Sequence, residues 1–101
     1  MSDSFEIRLQ VAPDGREPYT VVADTRDLGA WERWPGTLPG GTRRTFKAIV
    51  EDMLISAIEE ISFQASKRQG LWTDNLAAFR EQCKVGLGEE DGEGSESDPT
   101  Q

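Results

Sequence analysis

The sequence predicts a small α+β domain: an N-terminal antiparallel β-hairpin, a mostly helical body (short helix, long helix, short helix) and a disordered acidic tail. Three observations predict it. Residues 5–11, FEIRLQV, alternate strictly between apolar and polar, the period of a half-buried strand. From about Thr45 to Gln69, apolar residues recur at helical spacing. From Gly86 onward the chain carries six acids and no Lys or Arg. So polar a run cannot offset the entropy of ordering. Residues 1–85 therefore read as one domain and residues 86–101 as the tail.

Each element has its own signal. Phe5, Ile7, Leu9 and Val11 share one face of the first strand, opposite Glu6, Arg8 and Gln10. Pro13, Asp14 and Gly15 supply turn chemistry, and YTVVAD at 19–24 forms the returning strand. A lone hairpin is marginal in water, so a helix must cover its apolar face. Asp24 suits a helix N-cap with Asp27 as its capping-box partner. That short helix, TRDLGAWERW, places Leu28, Trp31 and Trp34 on roughly one face and ends at Pro35. The following loop, PGTLPGGTRR, is long enough to be mobile.

Along the long helix, Phe46, Val50, Met53, Leu54, Ala57, Ile58, Ile61 and Ala65 form a broad stripe. Ile49, Ile55 and Phe63 project elsewhere. A second apolar patch of this kind either packs between two layers or meets a partner. Lys67 and Arg68 fit the last turn, and Gly70 fits a left-handed ending that folds Leu71 back on Ala65. Thr73 would cap a final helix, DNLAAFREQCK, with Leu76, Phe79 and Cys83 on one face.

Composition excludes much chemistry. The 101 residues carry a net charge of −8, of which residues 1–85 contribute only −2, from 13 acids and 11 bases. There is no His and one Cys, so the common triads and zinc sites cannot be assembled. Cys83 reads as a small apolar residue in a reducing compartment. The pairs Glu51-Asp52 and Glu59-Glu60 read as a solvated helix face, because adjacent helical residues diverge. Arg43, Arg44 and Lys47 read as local salt-bridge partners rather than a nucleic-acid footprint. PGGTRR lacks phosphate-loop spacing, and no run approaches the roughly 18–20 apolar residues of a membrane span. No catalytic residue, cofactor or metal is expected, nor any nucleic-acid or membrane partner. What remains is a binding module with apolar anchors, the candidates being Trp34, Ile49, Ile55, Phe63 and Trp72.

VVADTRDLGAWERW, then ASKRQGLWTDNLAAF, an acidic stretch and a terminal DPTQ resemble, in that order, the tail assembly chaperones of long-tailed (siphovirus) bacteriophages in their short form. The matching positions are Asp24, Arg26, Asp27, Ala30, Trp31 and Glu32, then Ala65, Lys67, Arg68, Gly70 and Leu71, then Phe79, and finally Pro99 and Thr100. The resemblance implies a non-catalytic protein that binds the tape measure protein and helps recruit tail tube subunits around it. It implies action in the host cytoplasm, absence from the mature virion, and many copies on one client, hence homo-oligomers. It also implies a longer form made by a ribosomal frameshift near the acidic tail. Two other readings stay open: a small structural head–tail connector or virion protein, and an acidic inhibitor of a host nucleic-acid-binding protein. A mimic of nucleic acid needs its charges on the folded body, whereas here they cluster in the tail.

Overall fold

The computed structural model describes residues 6–88. Strand β1 (Glu6–Pro13) pairs antiparallel with β2 (Tyr19–Asp24), with Ile7 opposite Ala23 and Leu9 opposite Val21. Gly15 turns the chain between them at φ +74°, in the left-handed region that glycine occupies without a Cβ penalty. Ile7, Leu9, Val11, Val21 and Ala23 are all buried, so the alternation points one face of the hairpin inward as expected.

The hairpin is part of a three-stranded sheet of order β2-β1-β3. The last helix, α4 (Leu76–Gln82), stops before Cys83, and β3 (Cys83–Leu87) pairs antiparallel with the other edge of β1. This corrects the expectation that the helix runs through Lys84 with Cys83 on its face. The physical reason lies in β1, whose second row of N–H and C=O groups needs partners that a helix cannot supply. Val85 and Leu87 flank Gly86, a poor helix former. The folded body therefore extends beyond residue 85 to include Gly86 and Leu87. The remaining acidic residues, 89–101, and residues 1–5 lie outside the described residues.

Helix α1 (Thr25–Glu32) begins with the expected capping box between Asp24 and Asp27. Arg26 N–H donates to Asp24 Oδ1 at 2.9 Å, and Asp24 N–H donates to Asp27 Oδ2 at 3.1 Å. The loop after α1 is anchored rather than loose. Leu38 is buried, its N–H donates to the Thr42 carbonyl at 2.8 Å, and Gly41 N–H donates back to the Leu38 carbonyl at 3.0 Å.

The expected long helix is two helices, α2 (Phe46–Val50) and α3 (Ile55–Arg68). Helix α3 packs across the sheet beside α1 and ends in a Schellman motif. Leu71 N–H reaches the Ser66 carbonyl at 2.8 Å, Gly70 N–H reaches that of Lys67 at 3.1 Å, and Gly70 has φ +76°. Helix α4 is capped by Asn75, not Thr73: Ala78 N–H donates to Asn75 Oδ1 at 2.9 Å. No helix among the described residues is long and apolar enough to cross a membrane.

Two carboxylates are built into this core. Glu60 accepts from Trp31 Nε1 at 2.8 Å, from Arg44 Nε at 2.7 Å and from Arg80 Nη2 at 3.3 Å. The same Arg44 donates to the Pro35 and Gly36 carbonyls, each at 3.1 Å. One side chain thus ties the α1–α2 loop to α3. Asp27, fully buried, takes both Arg68 Nε at 2.7 Å and Nη2 at 2.8 Å. Glu60 is not on a solvated face, which corrects that reading of Glu59-Glu60. The Arg44 expectation of a salt bridge holds, but the bridge is buried.

Candidate partner-binding surface

The break between α2 and α3 has an unusual backbone. Thr45 caps α2 by accepting Ala48 N–H at 3.3 Å. One turn later the helix closes on itself: Glu51 and Asp52 N–H both donate to the Lys47 carbonyl at 2.9 Å, and Leu54 N–H donates to that of Ala48 at 2.9 Å. Lys47 Nζ also bridges Asp52 at 3.2 Å across the exposed turn. Met53 then sits at φ +49°, the one positive φ on a non-glycine residue among the described residues. The left-handed region costs an L-residue roughly 1–2 kcal/mol, so this conformation is held by the bonds around it.

The break decides which apolar side chains face water. Val50, Met53 and Ile55 are 37%, 50% and 67% exposed, and Leu87 at the end of β3 is 37% exposed. Val50 and Leu87 line one cleft of about 450 Å³ together with Phe46 and Ile7, with the charged Glu6 and Arg8 on its walls as well. Phe46 also borders a second cleft of about 450 Å³ against Leu28 and Gly29 of α1. Val50, Met53 and Ile55 thus leave three exposed apolar side chains within six residues of one helix break, and Val50 shares its cleft with Leu87.

The chain matches no protein family model, no curated protein and no solved structure. The surface itself is therefore the main support for any functional reading.

Of the five residues expected to bind a partner, only Ile55 lies on this surface. Ile49 is fully buried and Trp72 is 4% exposed, so neither is available at the surface; both belong to the core. Trp34 and Phe63 are half-buried and stack edge-on at 6.3 Å. Phe63 meets Phe79 at 5.7 Å, and Phe79 meets Trp72 at 5.5 Å, so the aromatics form a ladder within the molecule. The physical reason is the helix break. In one continuous helix Val50 and Met53 would join the core stripe while Ile49 and Ile55 left it. Ending α2 at Val50 turns Ile49 inward and leaves Val50 and Met53 outside.

Val50 and Met53 escaped the sequence reading because no Gly or Pro marks the break, and Leu54 opens α3 without a side-chain cap. Leu87 had a usable signal: Val85 and Leu87 alternate around Gly86 just before the acidic run. The only thiol offers no competing chemistry. Cys83 is buried, and burial pushes its pKa upward, away from the reactive thiolate.

Proposed function

We propose that the protein is a non-catalytic tail assembly chaperone of a long-tailed bacteriophage. It binds the tape measure protein, holds it in solution as several copies along one client, and helps recruit tail tube subunits. It acts in the host cytoplasm and is left out of the mature virion. The observation that carries this reading is the exposure of the apolar side chains Val50, Met53 and Ile55 around the α2–α3 break, with Leu87 across a cleft from Val50. A largely helical client presents apolar stripes, and an apolar surface beside two clefts is suited to cover them. The exposed Met53 has a flexible side chain that can adapt its shape to successive sequences, which a chaperone of a long chain requires. The tail's six acids favour solubility of such an assembly through mutual repulsion.

The test is a titration of the purified chain against segments of the tape measure protein from the same genome. Ile55→Asp and Met53→Asp change exposed side chains, so the fold survives while affinity falls at least about tenfold, or ~1.4 kcal/mol. A wild-type chain that binds no segment overturns the reading. Mass spectrometry of purified particles checks the second half: a chaperone is missing from them, whereas a connector or other virion protein is present.

A further inference from the structure

Two sulfur-bearing side chains occur among the described residues, and the fold treats them in opposite ways. Cys83 is buried where β3 begins, and the desolvation that raises its thiol pKa keeps it from the reactive thiolate. Met53 is half exposed, in the turn that joins α2 to α3. A thioether needs no deprotonation to react, so its oxidation follows access to the sulfur. An oxidant that meets this fold finds one open sulfur among the described residues.

The turn is built so that chemistry at this side chain does not undo it. Main-chain groups fix its conformation: Glu51 and Asp52 N–H on the Lys47 carbonyl, and Leu54 N–H on that of Ala48, each at 2.9 Å. Lys47 Nζ adds its bridge to Asp52 at 3.2 Å. None of these bonds uses the Met53 side chain. On either side of it in sequence stand the exposed apolar Val50 and Ile55. Gaining an oxygen there turns a flexible apolar side chain into a polar, chiral one. Polarity changes where apolar contact is offered, and the fold stays in place.

We propose that Met53 is a reversible oxidation site whose sulfoxide switches the partner-binding surface off. In the forward step hydrogen peroxide transfers one oxygen to Sδ. The O–O bond breaks, an S–O bond forms, the sulfur gives up two electrons and the peroxide leaves as water. In the reverse step two thiols of a methionine sulfoxide reductase supply the electrons and protons, leaving a disulfide, a second water and the restored thioether. The switch rests on the chaperone reading. The site does not, because oxygen uptake is measured on the chain alone.

Hydrogen peroxide is added to the folded full chain and to the urea-unfolded chain, and peptide mass mapping follows oxygen uptake at Met53. The folded and unfolded rates agree within about fivefold, as an open thioether requires. Cys83 of the folded chain stays reduced, and the circular dichroism spectrum is unchanged. The oxidised chain binds tape measure segments at least about tenfold more weakly than the reduced chain, and reductase treatment restores the affinity. In Met53→Leu, whatever its starting affinity, peroxide changes nothing, which separates this sulfur from that of Met1. A Met53 that reacts only on unfolding overturns the proposal. So does an oxidised chain that binds as the reduced one does, or a loss of binding that persists in Met53→Leu. A reduced chain that binds no segment overturns the chaperone reading and the switch with it, while the oxidation rates still judge the site.

Discussion

Trp31 of α1 donates its indole N–H to Glu60 of α3 at 2.8 Å, and both side chains are withdrawn from water. The bond joins two helices that must both lie on the sheet. It also fixes one oxygen of a carboxylate shared by Arg44 and Arg80. Side chains at the Arg44–Glu60 bridge are only 8% and 4% exposed, so it escapes the screening that makes surface pairs weak.

Glu60→Ala leaves the Arg44 guanidinium buried without its carboxylate. Breaking one side of a buried pair costs about 3–5 kcal/mol, a large share of the ~5–15 kcal/mol available to a small domain. Urea unfolding followed by Trp fluorescence will show a correspondingly lower midpoint. Replacing Arg44 and Glu60 together by Leu and Met will recover part of the loss, because the pair's buried charges are gone while the buried Trp31 indole N–H still lacks its acceptor.

Ser62 lies next to that network in sequence, fully buried, and its Oγ has no hydrogen-bond partner among the described residues. An unsatisfied buried hydroxyl costs about 1–3 kcal/mol. Ser62→Ala removes it and favours the helix as well, so thermal unfolding of the variant shifts upward. A lower melting temperature would contradict the unpaired state of the hydroxyl.

Met53→Gly relieves the left-handed backbone at φ +49° and deletes an exposed apolar side chain. Stability rises by a fraction of the roughly 1–2 kcal/mol of strain, since glycine adds entropy to the unfolded chain. Client affinity falls in the same variant. Opposite movements of melting temperature and affinity separate a binding role for Met53 from a structural one.

Acid acts on the α1 cap. Arg26, which donates to Asp24 at its carboxylate, holds the Asp24 pKa down from 3.8 to about 2. A carboxyl that is more acidic folded than unfolded contributes stability above its unfolded pKa. That contribution is lost as pH falls from about 4 toward 2. Arg26→Ala returns the Asp24 titration toward the ordinary carboxylate range, which carboxyl-carbon NMR reads directly. Asp24→Asn flattens the pH dependence of unfolding in that window.

How far the sequence disclosed this molecule differs from element to element. The hairpin, the Asp24–Asp27 cap and the Gly70 ending were legible because each rests on a local rule: alternation, side-chain capping, and the left-handed freedom of glycine. What was illegible rests on distant partners. Cys83–Leu87 is a strand because β1 has a second edge to fill, and helix periodicity through Phe79 and Cys83 masked it. Glu60 is buried because Trp31, Arg44 and Arg80 converge on it from elsewhere in the chain. The candidate surface depended on a break at Met53 that no glycine or proline announces. Ile55 alone of the five expected residues lies on it, while Ile49 and Trp72 answer to the core.

The central strand is the first to be synthesised and the last to be completed. Leu9 finds its second neighbour only when Leu87 has been added, so during translation β1 waits with one row of amides and carbonyls unmatched. A polypeptide halted or clipped before Cys83 retains an apolar strand with a raw edge, a species prone to aggregate. Once Gly88 has been added, β1 has both of its neighbours in place.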